Sequence, residues 1–196
     1  MPATRKARIT ASVSEQERDI LDAAAAEFAA VGVRKAGMDE VARAAGVSRS
    51  TLYRRFPNKE ALFRAVALET FEAGLSRLEE AVEGMPPREA VAEAFARGAE
   101  MVQTDPLLRR VVHEDRTVRE VTSGVSALFI EMVTARIAAT LRSAGATMAD
   151  DDLLQAVEIH VRVVMSYLEV PASDPAHSTS DYARAVARKH LAPMIH

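Results

Sequence analysis

Residues 38–56 read MDEVARAAGVSRSTLYRRF, and two short helical patterns meet inside that stretch at one glycine. Met38, Val41, Ala42 and Ala45 recur at spacings of three and four, which puts them on one face of a first helix. Gly46 lacks a Cβ and can take the special backbone geometry of a tight turn. Val47 fills the corner, and Ser48 offers an oxygen to the free N–H groups that open a second helix. Leu52 and Phe56 share one face of that helix with Ser48. The opposite side displays Ser50 and Arg54, flanked by Arg49, Thr51 and Tyr53, with no acid from Val47 to Asn58. Two helices joined by a short turn containing Gly are a construction that seats the second helix in the DNA major groove. Taken alone, such a corner is more often an ordinary bend with a solvated polar side, so the flanking residues decide.

Moving outward, the run from Ile20 to Gly32 with Phe28 is followed by Val41-Ala42 and Ala45-Gly46-Val47-Ser48. Then come Thr51-Leu52-Tyr53, Phe56 and Lys59-Glu60-Ala61-Leu62. In that order the elements resemble the N-terminal segment of the TetR family of bacterial transcriptional repressors. Several spaced elements over roughly a third of the chain are far more specific than a lone motif. The chain departs from the pattern at Ala36-Gly37, where the family often has hydroxyl residues, and no DNA contact is assigned there.

The resemblance implies an all-α subunit of about nine helices, in agreement with the helical periodicity of the chain. Residues 1–61 form the expected helix-turn-helix DNA-binding domain, with 1–13 a flexible basic arm. Residues 62–196 form the expected effector-binding and dimerisation domain. It further implies a repressor that binds a palindromic double-stranded DNA operator as a homodimer and leaves it when a small, hydrophobic effector binds. Arg49, Ser50 and Tyr53 are expected to meet bases or adjoining phosphates, while Thr51, Arg54 and Lys59 position the backbone. Lys59 stands at the start of a helix, where free amides and the dipole already favour an anion.

Composition is compatible with this. A chain of 196 residues with 48% hydrophobic side chains can bury a real core. There is no cysteine, which removes disulfides and thiolate chemistry and is compatible with a reducing compartment; a cytoplasmic location away from membranes is expected. No early stretch resembles a signal peptide, and none approaches the uncharged run of about 18 residues that spans a bilayer. The net charge of −3 would by itself argue against binding DNA. However, Lys and Arg outnumber Asp and Glu up to Leu62, and the acids prevail afterwards, which gives a basic front on an acidic body.

Along the chain, Ser14 and Glu17 have capping-box spacing before a helix whose inward stripe is Ile20, Leu21, Ala24, Ala25 and Phe28. Pro57 stops the recognition helix and Asn58 can cap the fourth, a long helix reaching toward Gly84. Pro87 opens a fifth, Asp105-Pro106 a short sixth, and a seventh is expected from about Ser123 to Ala144. The eighth, from Asp151 to about Val170, carries two apolar stripes and must be buried on two sides. Tyr182, Val186, Ala187 and Leu191 suggest a ninth.

One side of the eighth helix would serve its own core and the other a second copy, with Val157, Val161, Val164, Leu168 and Val186 as candidate interface residues. The resemblance places an effector pocket among helices four to eight, with Phe95, His113, Phe129, Met132 and His160 as candidate lining. Each of these also has the spacing of a core or solvated residue. No Gly-rich phosphate loop, catalytic serine motif or His-x-x-x-His pair is present, so no catalytic residue, metal or cofactor is expected. The alternative left open is a helical small-molecule-binding or protein-interaction module without sequence-specific DNA binding.

Overall fold

The computed structural model describes residues 13–108, 116–169 and 174–196, with the backbone alone for 13, 116–129, 167–169 and 175. The expected basic arm therefore lies outside the described residues. Every regular element among those described is helical. The chain divides after Ala67 into two compact units. Leu62, Phe63 and Val66 are buried, and the Phe63 ring meets Phe28 edge-on with centroids 5.6 Å apart. These contacts tie the chain as far as Ala67 to the first unit, past the division expected after Ala61.

The first unit holds α1 (Val13–Val31), α2 (Met38–Ala44), α3 (Arg49–Arg55) and the start of α4 (Lys59–Val82). Ile20, Ala24 and Phe28 recur every four residues on α1 and are fully buried, so that stripe is the platform for the two short helices. Gly32 closes α1 at φ 81°. Without a hydroxyl cap, α2 opens at Gly37, whose N–H donates instead to a Glu27 carboxylate oxygen on α1 at 3.4 Å.

The second unit holds the rest of α4 together with α5 (Pro87–Thr104), α6 (described over residues 106–108), α7 (Arg116–Ser143), α8 (Asp150–Glu169) and α9 (Ser180–Val186). Asp105 caps α6 by accepting from the N–H groups of Leu107 and Leu108 at 2.8 and 3.0 Å; the rest of the expected sixth helix lies outside the described residues. α7 starts earlier than the expected Ser123. The polar stretch before it contains no proline, and polarity reports where side chains meet water rather than what the backbone does.

The second unit's core gathers Val91 and Phe95 from α5, Val133 and Leu141 from α7, Leu153 and Val157 from α8, and Ala187, Leu191 and Ile195 from the C-terminal segment. That segment is less regular than expected: after α9 the backbone widens over Ala187–Leu191 and tightens over Ala192–Met194. Among the described residues no helix is long and apolar enough to cross a membrane.

Candidate nucleic-acid interface

The corner between α2 and α3 is built from its backbone outward. Gly46 sits at φ 66°, a left-handed conformation that costs any residue with a Cβ about 1–2 kcal/mol. Its N–H donates to the Arg43 carbonyl at 3.2 Å, and Val47 N–H donates to the Ala42 carbonyl at 3.0 Å. This pair of bonds closes a helix through a left-handed residue and satisfies its last carbonyls. Ser48 then caps α3, its hydroxyl oxygen accepting from Thr51 N–H at 3.1 Å. The same hydroxyl lies 2.9 Å from that of Ser50 and 2.8 Å from that of Thr51, so three hydroxyls form one linked group at the start of the helix. Ser48 therefore holds two expected DNA contacts besides capping the helix, and the i, i+2 and i, i+3 spacing is the sequence signal for it.

Seven residues make a helix too short to persist alone, and α3 is held by what it buries. Leu52 is 0% exposed and Phe56 is buried beside it. Arg55 is held as well: its guanidinium donates to Glu17 at 3.0 Å and to Gln16 at 3.5 Å on α1. That fixes the rotation of α3. Tyr53 is 44% exposed, and Arg49, Ser50 and Arg54 are exposed with it. The Arg54 side chain makes no hydrogen bond or ion pair among the described residues. Arg49 reaches back to the Asp39 carboxylate on α2.

Two expectations change here. Lys59 donates from Nζ to the carbonyls of Arg34 and Ala36, at 2.8 and 3.2 Å. Its ammonium therefore secures the turn between α1 and α2 to the start of α4, and only its third N–H is open to a phosphate. The eighth-helix stripe also faces the opposite way from the interface expected of it. Val157 is 0% exposed, Val161 is buried and Val164 packs against the same core, so these side chains serve their own subunit. Among the described side chains of α8, the exposed large apolar ones are Leu154 and Ile159, the latter 42% exposed. Val186 is half-buried at the end of α9, and the Leu168 side chain lies outside the described residues.

Of the candidate effector residues, Phe95 is buried in the second unit's core, whereas Met132 is 46% exposed. His160 is buried and donates from Nε2 to the Leu191 carbonyl at 3.1 Å. Burial holds its imidazole below the ordinary histidine range, partly opposed by that hydrogen bond. His113 and the Phe129 side chain lie outside the described residues. Among the described residues no group of three potential metal ligands occurs.

A capped helix turned outward from a three-helix platform, with phenol, guanidinium and hydroxyl groups on its free side, defines a helix-turn-helix DNA-binding protein. Residues 20–66 match the family model described as bacterial regulatory proteins of the tetR family, and residues 87–188 match that of the C-terminal domain of the bacterial tetracyclin repressor. An uncharacterised HTH-type transcriptional regulator of Mycobacterium tuberculosis is 32% identical over 179 residues, covering 90% of this chain and 83% of that protein. The chain belongs to the TetR family of bacterial transcriptional regulators, which is not a family of enzymes.

Solved structures share the fold at low identity. The repressor AlkX from a Dietzia strain has a TM-score of 0.68 at 23% identity, over 90% of this chain and 96% of that one. RolR in complex with resorcinol has a TM-score of 0.66 at 17% identity, over 91% and 88%.

Proposed function

We propose that this regulator is a cytoplasmic repressor that binds a palindromic operator as a homodimer and is released by a small apolar effector. The observation that carries the DNA-binding part is the free side of α3, where Tyr53 and Arg54 stand open while Leu52, Phe56 and Arg55 fix the helix from behind. Arg49, Ser50 and Tyr53 meet base edges or adjoining phosphates; Thr51, Arg54 and the remaining N–H of Lys59 hold the phosphate backbone. One recognition helix reads too little sequence, and a second copy places its twin about one helical repeat of the duplex away. The partner meets the exposed side of α8, where Leu154 and Ile159 flank Gln155, Glu158 and Arg162.

The effector side rests on the apolar build of the second unit, with Phe95 the buried candidate, and on a neighbour of the same fold whose structure holds resorcinol. The effector favours a conformation in which α4, which runs from the first unit into the second, has moved and the two recognition helices no longer match successive grooves.

A gel shift on the DNA flanking the protein's own gene tests this, repeated with a panel of small aromatic and aliphatic compounds. The DNA is retained, and a compound in the panel releases it. Affinity drops by roughly 10³-fold or more between about 50 and 200 mM salt if about six or more phosphates are neutralised. If neither that DNA nor any duplex selected from a random pool is retained, the helical binding module without sequence-specific DNA recognition takes its place.

A further inference from the structure

Asp39 stands on α2 at the edge of a surface built to meet a polyanion. One of its carboxylate oxygens accepts from the Arg49 guanidinium; the other is closed off from solvent without a hydrogen-bond partner. Removing a carboxylate oxygen from water without a partner costs stability, and an ion pair between side chains this exposed returns about 0–1 kcal/mol. The pair therefore does little for the fold. It also subtracts one positive charge from a face that needs them.

What the pair does accomplish is geometric. Arg49 is the first residue of α3, where the helix dipole disfavours a cation and a long, mobile side chain could swing onto any nearby phosphate. Asp39 occupies one Nη2 hydrogen of the planar guanidinium fork and leaves its other four N–H donors free to face outward. A guanidinium held that way can read two acceptors on a guanine edge, whereas a free one gains as much from any phosphate. The same carboxylate repels phosphates that approach out of register.

We propose that Asp39 is a positioning residue for sequence discrimination: it aims Arg49 at a base edge and keeps it off the phosphate backbone. This rests on the DNA-binding reading above and adds which residue sets the ratio between specific and non-specific binding. The test measures two affinities over a salt series, one for the duplex that the wild-type protein enriches from a randomised pool and one for a scrambled duplex of the same composition. D39A should bind the scrambled duplex several-fold more tightly, with a salt slope steeper by about 0.9 as Arg49 takes a phosphate. The ratio of specific to scrambled affinity should fall about tenfold, within what one bidentate base contact supplies.

D39N keeps the size and one neutral acceptor and should fall between wild type and D39A; it also reads the ratio should D39A fail to fold. R49A should lower the ratio without tightening scrambled binding, and adding D39A to R49A should leave the ratio as R49A sets it. An unchanged ratio in D39A, or an equal fall when Arg49 is already absent, overturns the proposal while leaving DNA binding intact. A wild-type protein that enriches no duplex overturns both.

Discussion

The free side of α3 and the polar surface of the second unit carry the same residue type and use it differently. In the second unit, Arg136 donates to both oxygens of Glu79 at 2.7 and 2.6 Å and also reaches Ser76 and Glu72. Arg184 joins Glu93 to Asp181, Arg162 holds Glu158, and Arg142 holds Asp150 and the Met148 carbonyl. The Arg136 and Arg184 bonds keep the Glu79 and Glu93 carboxyls below their ordinary range. On α3, Arg55 is consumed by α1, Arg49 is shared with Asp39, and Arg54 is left open. The acid-rich second unit thus neutralises many of its own cations, whereas the first leaves some unanswered. A protein of net charge −3 can bind DNA because attraction depends on where uncompensated charge sits rather than on the total.

The largest expected effect lies beneath that surface. Leu52→Ala removes a side chain with no exposure from under α3 and should cost about 2–5 kcal/mol of stability. Chemical denaturation followed by circular dichroism measures it. A loss under about 1 kcal/mol would mean that α3 is held by its caps and Arg55 alone, and that its two sides are not divided as described.

Gly46→Ala comes next. Nothing lies within 4 Å of a Cβ built there, yet φ is +66°, so the cost is backbone strain rather than collision. It should be about 1–2 kcal/mol. A neutral result would show that the corner relaxes to an ordinary conformation, and DNA affinity would then report whether α3 has tilted.

How much of this was legible in the sequence follows the same division. The corner could be read because glycine, the serine cap and the Leu52 and Phe56 spacing are local signals, and each does in the structure what its chemistry suggests. The family could be read for the same reason. Lys59 could not be placed, because its partners are main-chain carbonyls more than twenty residues away, and a carbonyl has no signature in the sequence. The orientation of α8 was equally hidden: two apolar stripes look alike in the sequence, and only the fold puts Val157 in the second unit's core with Leu191 and Ile195 while Ile159 stays exposed. Nor did the polar character of the Asp39 position announce its pairing with Arg49, ten residues further on across a turn.

Charge removal gives a smaller and more selective effect. Arg54→Ala should weaken DNA binding several-fold and reduce the salt slope by about one, with stability changed by less than about 0.5 kcal/mol. Arg97→Ala, which removes an exposed cation already paired with Glu93 and Glu100, should leave both affinity and slope unchanged. Isothermal titration over a salt series separates the two. Equal effects would mean that pairing does not decide which cations DNA meets, and the contrast between the units would fail.

The smallest expected effect concerns His160, the buried imidazole of the second unit, and its sign can be worked out. Burial lowers its folded-state pKa below the ordinary value near 6.5, and the hydrogen bond to Leu191 only partly compensates. The unfolded chain therefore takes up a proton at a pH where the folded chain does not. Stability contributed by keeping the ring neutral is fully present above about 6.5 and declines as pH falls from there toward the folded-state value, below which the loss levels off. Glu79 and Glu93, also held low in the folded state, extend the decline at more acidic pH. Denaturation midpoints at closely spaced pH values should thus show a first decline that begins near neutrality and is absent in His160→Gln, while the more acidic decline persists in both proteins. A first decline retained in His160→Gln would assign it to another group and leave the Leu191 contact without a part in it.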